Sequence, residues 1–502
     1  MKNLKRKIGE LVGGEGFSSV SVTALVIAVV MVFNALLYVL VQNLGLVFSY
    51  TEKIDYSLTG DTDALFREAI ESGKKVKISF CMAEDELKNH ETGSEVYMTA
   101  LQFAEKYPDF IELDYINIIT RQDKDGNFIE NFSKYRKDGE AIYGSSVIFE
   151  CGDEIKVVTD TYSNAGFAPF YTLNSEMYVT AYSGEELFSA MICRVTSGNA
   201  KMAYFTQHHG EMADITFTNL LTSAGYDIDV INLRESAVPE DADLLIISNP
   251  TSDFEASWDG SVYTETDRLR AYMERGGNLY VSMDPYAKTL TVLEDFLREY
   301  GISFAYSENA LGRRIKSIVK DPRNSITTDG FTLVCGYADS DVSRSISERV
   351  DKSLGGVLVR ETGALELSGG AKAILTSSSA SVLEAGGETV NGDGSYAVAA
   401  SSSLTHKNGN TSRVFVIPSI YLTVSDALVS DGYSNKDFLF STFEELFGAT
   451  GLPYGTRPIL YSSNILQNLT METARIYTAI AVSVPVVIAA VGAVVLIRRK
   501  NR

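Results

Sequence analysis

The sequence predicts an α/β protein, anchored in a membrane by one helix near each terminus. Its main domain is expected to be a doubly wound, mostly parallel sheet, preceded by a smaller α/β domain. Three observations carry this. Two charge-free, apolar runs of 22 residues, at 20–41 and 476–497, lie near the ends. Across residues 201–300, strand-like and helix-like segments alternate as they do in βαβ units. The chain's net charge is −21 and its tails carry +2 and +4, so the region between the two runs carries −21 − 2 − 4 = −27.

The first tail, residues 1–19, carries Lys2, Lys5, Arg6 and Lys7. At about 1.5 Å per residue, a helix of the following run spans the roughly 30 Å of bilayer hydrocarbon. The run is longer than the core of a cleaved signal peptide and no A-x-A site follows, so an uncleaved membrane helix over 20–48 is expected. The second run, 476–497, ends in a tail at 498–502 that contains Arg498, Arg499, Lys500 and Arg502. Both basic flanks face away from the middle of the chain, which places both termini in the cytoplasm and the large domain outside it. The acidic region repels nucleic acid. Its length exceeds one ordinary core.

After the first run, Asp61 or Thr62 caps a helix at 61–72, and VKISFC at 76–81 reads as a strand. A helix over 94–106 stops before Pro108, and FIELDYINII alternates as a strand does. SSVIFECGDEIKVVT reads as a hairpin turning at Gly152-Asp153. These make an N-terminal α/β domain over 49–183. A helix at 184–195 opens the main domain, 184–452. There KMAYFT is a strand, 214–224 a helix, YDIDVINL a strand and LLIIS a buried strand. A helix at 264–275, the strand NLYVSMDP and a helix at 289–300 follow. A Ser/Gly/Thr-rich, β-rich insertion covers about 307–395. AVAASSSLT and SRVFVIPS then form a strand pair, and 436–447 is a helix ended by Gly448. A polar linker, 453–475, leads to the second run.

Ligands of doubly wound sheets bind beyond the carboxyl ends of the strands. The loop Gln207-His208-His209-Gly210-Glu211 and the Asp284-Pro285 turn lie at such ends. His208, His209 and Glu211 are the only clustered metal-type residues, but zinc needs three or four converging ligands and no second pair accompanies them. No metal or cofactor is expected. G-x-S-x-G, G-x-C-x-G and P-loop motifs are absent, so no catalytic residue is assigned and any ATP hydrolysis belongs to another subunit. Cys81, Cys151, Cys193 and Cys335 are widely spaced, which favours buried free thiols, with a single bridge left open.

Four stretches, KMAYFTQHHGE, GYDIDVINL, VPEDADLLIIS and GGNLYVSMDP, resemble the GldG-like family in order and spacing. These are auxiliary components of ABC transport systems, named for gliding motility. Gln207-His208 stand where the family shows Thr-Gly. The resemblance also covers SLTGDTDALFREAI and EELFSAMICRVTSG, and more weakly RVFVIPS with the SNKDFLF helix that follows it. The resemblance implies a membrane-tethered domain like that of class I glutamine amidotransferases, without their catalytic cysteine. It also implies an ABC permease and ATPase as partners.

The expected function is therefore a non-enzymatic auxiliary subunit of a bacterial ABC-2-type transport complex in the plasma membrane. One alternative is an extracytoplasmic glycan- or peptide-binding module using the loop ends near Gln207 and Asp284. The other is a metal-dependent hydrolase using His208, His209 and Glu211.

Overall fold

A computed structural model describes residues 55–136, 141–159, 167–173, 179–198, 201–212, 214–256, 263–429 and 432–461. The two expected membrane helices and both basic tails lie outside the described residues. Among those described, no helix is long and apolar enough to cross a membrane.

From Tyr56 the chain enters α1 (Thr62–Glu71), whose Asp61 side chain accepts from the Ala64 amide at 3.0 Å. Next come β1 (Val76–Phe80), the short α2 (Glu84–Lys88), α3 (Gly93–Lys106) and β2 (Ile111–Tyr115). The expected hairpin is β3 (Val147–Cys151) and β4 (Glu154–Val158). These strands form one sheet in the order β2-β1-β3-β4, with β1 and β2 parallel and the rest antiparallel. Then β5 (Tyr171–Leu173), β6 (Val179–Tyr182) and α4 (Gly184–Ser197) follow. Phe188, Met191, Ile192 and Val195 of α4 share a core with Val76, Ile78, Phe103 and Phe149. The first core thus ends after α4, not before Gly184 where the sequence pattern puts the boundary. The helix is apolar on the face that covers this small sheet.

The main sheet begins with β7 (Lys201–Thr206), α5 (Ile215–Ser223), β8 (Tyr226–Ile231), β9 (Ala242–Ser248), α6 (Glu265–Glu274), β10 (Asn278–Ser282) and α7 (Thr291–Glu299). Then come β11 (Ile302–Phe304), β12 (Tyr306–Glu308), β13 (Arg314–Lys316), β14 (Ile318–Lys320), β15 (Thr332–Tyr337), α8 (Asp341–Glu348), β16 (Val357–Arg360), β17 (Leu365–Leu367), β18 (Lys372–Thr376), β19 (Ser381–Ala385) and β20 (Glu388–Gly394). The chain closes with β21 (Ala397–Thr405), β22 (Thr411–Ile417), α9 (Ser425–Leu428), α10 (Asn435–Phe447) and β23 (Ile459–Leu460).

The sheet order is β16-β15-β18-β21-β22-β10-β9-β7-β8, with β17 also pairing with β21 and β11 pairing with β17. Neighbours from β22 to β8 are parallel, and those from β22 to β16 antiparallel. The sheet is therefore mixed, a correction to the mostly parallel one expected. Runs such as TLVCGY and VLVR in the segment read as an insertion have enough apolar residues to be buried, and they extend the main sheet. Among the described residues, β12–β13 and β14-β19-β20 of this segment form separate small sheets, and β5, β6 and β23 form another in the order β23-β6-β5.

Helices cover both faces. Phe217 and Leu221 of α5 and Phe438, Phe440 and Phe443 of α10 pack on Phe205, Ile246 and Phe415. On the other face Leu269 and Met273 of α6 and Phe296 of α7 pack on Leu245, Ile247 and Val416. The run LLII is buried on both sides for this reason: alternate residues serve alternate cores. At the outer edge, buried Asn435 acts as a strand partner. Its Oδ1 accepts from the Leu358 amide at 2.8 Å and its Nδ2 donates to the Leu358 carbonyl at 2.7 Å.

Candidate functional site

Numbered in chain order, the parallel strands β8-β7-β9-β10-β22 run 2-1-3-4-5. Chain connections diverge between the first and third of these, and ligands of such sheets bind at that point. The loop after β7 and the loop after β9 both begin there.

The first of these loops turns sharply. His208 has φ +81° and Gly210 φ +77°. A Cβ on Gly210 would lie 2.1 Å from Thr251 Oγ1 as well as in a left-handed conformation, so this position needs glycine. The turn aims the His209 carbonyl at the β9 loop, where it accepts from the amides of Thr251 (2.7 Å) and Ser252 (2.9 Å). The Met212 amide donates to the Ser248 carbonyl (3.0 Å), and Ser248 Oγ returns a bond to the Met212 carbonyl (2.7 Å). The two loops are thus laced across the gap.

The His209 ring is 0% exposed. Nδ1 lies 2.8 Å from Glu211 Oε1, and Nε2 lies 3.1 Å from Glu265 Oε2, with Glu265 Oε1 at 3.0 Å as an ion-pair contact. The ring stacks on Phe254, centroids 3.9 Å apart and planes 9° from parallel. Glu211 also accepts from the His209 amide at 2.6 Å. Glu265, the first residue of α6 and 1% exposed, accepts from the Glu255 amide at 2.8 Å and has Arg234 3.4 Å away.

Burial opposes a charge on His209, but the bonds to Glu211 and Glu265 outweigh it and hold the imidazole pKa above its usual value. Burial likewise pushes Glu211 up, and the His209 ring and the loop amides more than offset it, leaving that carboxyl below its usual range. The arrangement is an imidazole ring held between two carboxyl groups, one at each nitrogen. With both ring nitrogens bonded to carboxylates, neither offers a lone pair to a metal or a substrate proton.

Of the residues singled out from sequence, the structure joins His209 and Glu211. His208 is exposed, and Gln207 ties the loop to β8 through its amide, 3.0 Å from the Ile231 carbonyl. Asp284 lies just past the end of β10, two strands from β7, about 10 Å away at the usual strand spacing. It caps its own turn, accepting from the Tyr286 amide at 2.8 Å. Glu265, Phe254 and Thr251 escaped sequence reasoning. The one available signal was the Thr264-x-x-Asp267 capping box, which marks where α6 starts but not what Glu265 meets.

The thiols are no better placed for chemistry. Burial pushes Cys81 and Cys193 up to about 12 and Cys335 higher still, away from reactive thiolates. Among the described residues all four cysteines are free, and no group of three or more His, Cys, Asp or Glu residues is arranged to hold a metal.

A different constellation joins the two ends of the folded region. Glu95 on α3 accepts from Tyr56 (3.0 Å) and Tyr171 (2.7 Å), and from Tyr461. The Arg457 amide donates to Thr59 Oγ1 (2.9 Å), and β23 pairs antiparallel with β6. The amides of Thr59 and Gly60 both donate to Glu185 Oε1 at 2.7 Å.

No protein-family model matches the chain, and no curated protein does. Among solved structures it is similar to the mmIFT52 N-terminal domain (16% identity, 49% of this chain and 96% of that one, TM-score 0.35). It is also similar to PurLQS from Thermotoga maritima (12%, 49% and 98%, 0.28) and to cytoplasmic protein STM3548 from Salmonella typhimurium (10%, 49% and 98%, 0.27). Likenesses this loose carry no argument about what the chain does.

Proposed function

We propose that the chain is a non-enzymatic, membrane-anchored auxiliary subunit of a bacterial ABC-2-type transport complex. In this reading the two terminal apolar runs are plasma-membrane helices with both termini in the cytoplasm. The α/β region between them is a GldG-like, amidotransferase-related domain held beside an ABC permease and its ATPase.

The observation that carries the reading is the clamp at Glu95. Tyr56, near the start of the described chain, and Tyr461, at its end, bond to the same carboxylate. A domain tethered by both ends to one bilayer needs its ends close together, and here one side chain gathers them. The filled gap between β7 and β9 supports the non-enzymatic part, because the place where such sheets take ligands is occupied by the protein's own His209, Phe254 and Glu265. The metal-dependent hydrolase alternative is less favoured, since both ring nitrogens of His209 already meet carboxyl groups of the protein.

The test is purification of the full-length chain from its native membrane in mild detergent. An ABC permease and ATPase recovered with it in fixed ratio, and export lost when the chain is deleted, are the expected results. Recovery of the chain alone, with export unchanged by its deletion, rejects the reading.

A further inference from the structure

The loop that follows β2 carries two large apolar side chains in water: Ile119 is 89% exposed and Phe128 60%. The loop is held from within. Asn117 Oδ1 accepts from the amides of Ile119 and Thr120, both at 3.0 Å. The Asn117 amide donates to the Gln122 carbonyl at 2.9 Å, the Ile129 amide to the Arg121 carbonyl at 2.8 Å, and the Lys124 amide to Asp114 Oδ1 at 3.1 Å. Ile118 and Ile129 pack against the core of Cys81, Ile116, Phe132 and Ile148. Their sequence neighbours Ile119 and Phe128 are left outside. One exposed apolar side chain is ordinary, but here a single braced loop presents two.

This loop stands at the end of the small sheet from which both chain ends leave. β1 and β2 are parallel, and the loop starts at the carboxyl end of β2. Helix α3 runs down to the start of β2, so its first turn, with Glu95, lies at that same carboxyl end. The ring of Tyr97, two residues after Glu95, is 6.5 Å from that of Tyr115, the last residue of β2. Glu95 in turn holds Tyr56 and Tyr461. Thirteen residues separate the first apolar run from Asp55, and fourteen separate Tyr461 from the second. At full extension neither connection reaches beyond about 50 Å.

We infer that this loop rests in the surface of the bilayer, with Ile119 and Phe128 inserted among the headgroups and upper acyl chains. The inference rests on the reading of the two terminal runs as membrane helices, which tether this end of the domain. Apolar side chains at such an interface sit about 5–10 Å into the headgroup and acyl boundary. Between 117 and 130, the cations Arg121 and Lys124 meet the carboxylates Asp123, Asp125 and Glu130. That balance gives no attraction to anionic lipid, so the contact is apolar, is made with neutral phosphatidylcholine, and survives salt. Two tethers and one inserted loop then fix which way the domain faces.

The test reconstitutes the full-length chain alone in phosphatidylcholine vesicles that contain a lipid with a diazirine on the upper acyl chain. After irradiation and digestion, labelled residues are mapped by mass spectrometry. Ile70, an exposed apolar residue in the last turn of α1 at the opposite end of the small sheet, is the internal control. Label is expected in both terminal runs, and on the 117–130 loop several-fold above the Ile70 peptide, unchanged by high salt. In the Ile119→Ser, Phe128→Ser double variant, loop labelling is expected to fall to the Ile70 level. Absence of label from both runs overturns the membrane reading, and this inference with it. Labelled runs with a loop no more labelled than Ile70 overturn the inference alone and leave the loop to a protein partner. Undiminished loop labelling in the double variant overturns insertion, and loop labelling lost in high salt overturns the apolar contact.

Discussion

Replacing His209 with alanine tests the latch between the β7 and β9 loops. The substitution removes two charge-assisted hydrogen bonds and the stack on Phe254, and leaves Glu211 and Glu265 as buried carboxylates without their shared cation. Breaking a buried pair in this way costs about 3–5 kcal/mol. The low end applies, because Glu265 keeps the Glu255 amide and Arg234. About 3 kcal/mol corresponds to roughly a hundredfold increase in the open population of the loop. The amides of Thr251 and Ser252, which donate to the His209 carbonyl, report that opening directly through hydrogen exchange. The pH dependence has a definite sign. His209 has its folded pKa above the ordinary 6.5, so its contribution is complete below that value and is lost as pH rises through the folded pKa. Glu211 has its folded pKa below the ordinary 4.5, so its contribution is complete above that value and is lost as pH falls through the folded pKa. Protection at Thr251 and Ser252 is therefore greatest between these limits, and the alkaline loss disappears in His209→Ala. An acceleration under tenfold, or an alkaline limb unchanged by the substitution, refutes the ionic latch.

Gly210→Ala places a Cβ against Thr251 at a positive φ and is expected to cost about 1–2 kcal/mol or more, read as a lower unfolding midpoint of the full chain. Glu95→Ala leaves the hydroxyls of Tyr56, Tyr171 and Tyr461 without their charged acceptor, at about 1.5–3 kcal/mol for a bond to a charged group, and limited proteolysis is expected to cut faster near both ends of the folded region. Asn435→Ala strips both bonds from the Leu358 backbone, and urea unfolding is expected to show a loss of about 2 kcal/mol or more. Iodoacetamide at pH 8 is expected to leave Cys81 and Cys335 unmodified until denaturant is added, as mass spectrometry of the alkylated protein will show.

Much of this architecture was legible in the chain itself. The Asp61 cap, the hairpin at Gly152, the doubly buried LLII run and the βαβ rhythm from β7 to α7 all rest on preferences that act within a turn of helix or a few residues of strand. Periodicity and capping are local, so sequence reveals them. It also brought His209 and Glu211 forward together, because two residues on one tight loop remain neighbours in any fold.

Only the tertiary structure decided the rest. Which strand lies beside which depends on contacts between residues far apart in sequence, and so β15, β16 and β18 joined the main sheet although their segment looked like an insertion. The same cause assigned α4 to the first core and brought Glu265, 56 residues beyond His209, onto its ring. Burial disfavours charge on the His209 ring and both Glu211 and Glu265 act against it, and no local pattern announces the second carboxyl group. Glu95 shows the point most plainly: Tyr56 and Tyr461 sit at opposite ends of the described chain, and the packing of β23 on β6 makes them partners of one carboxylate.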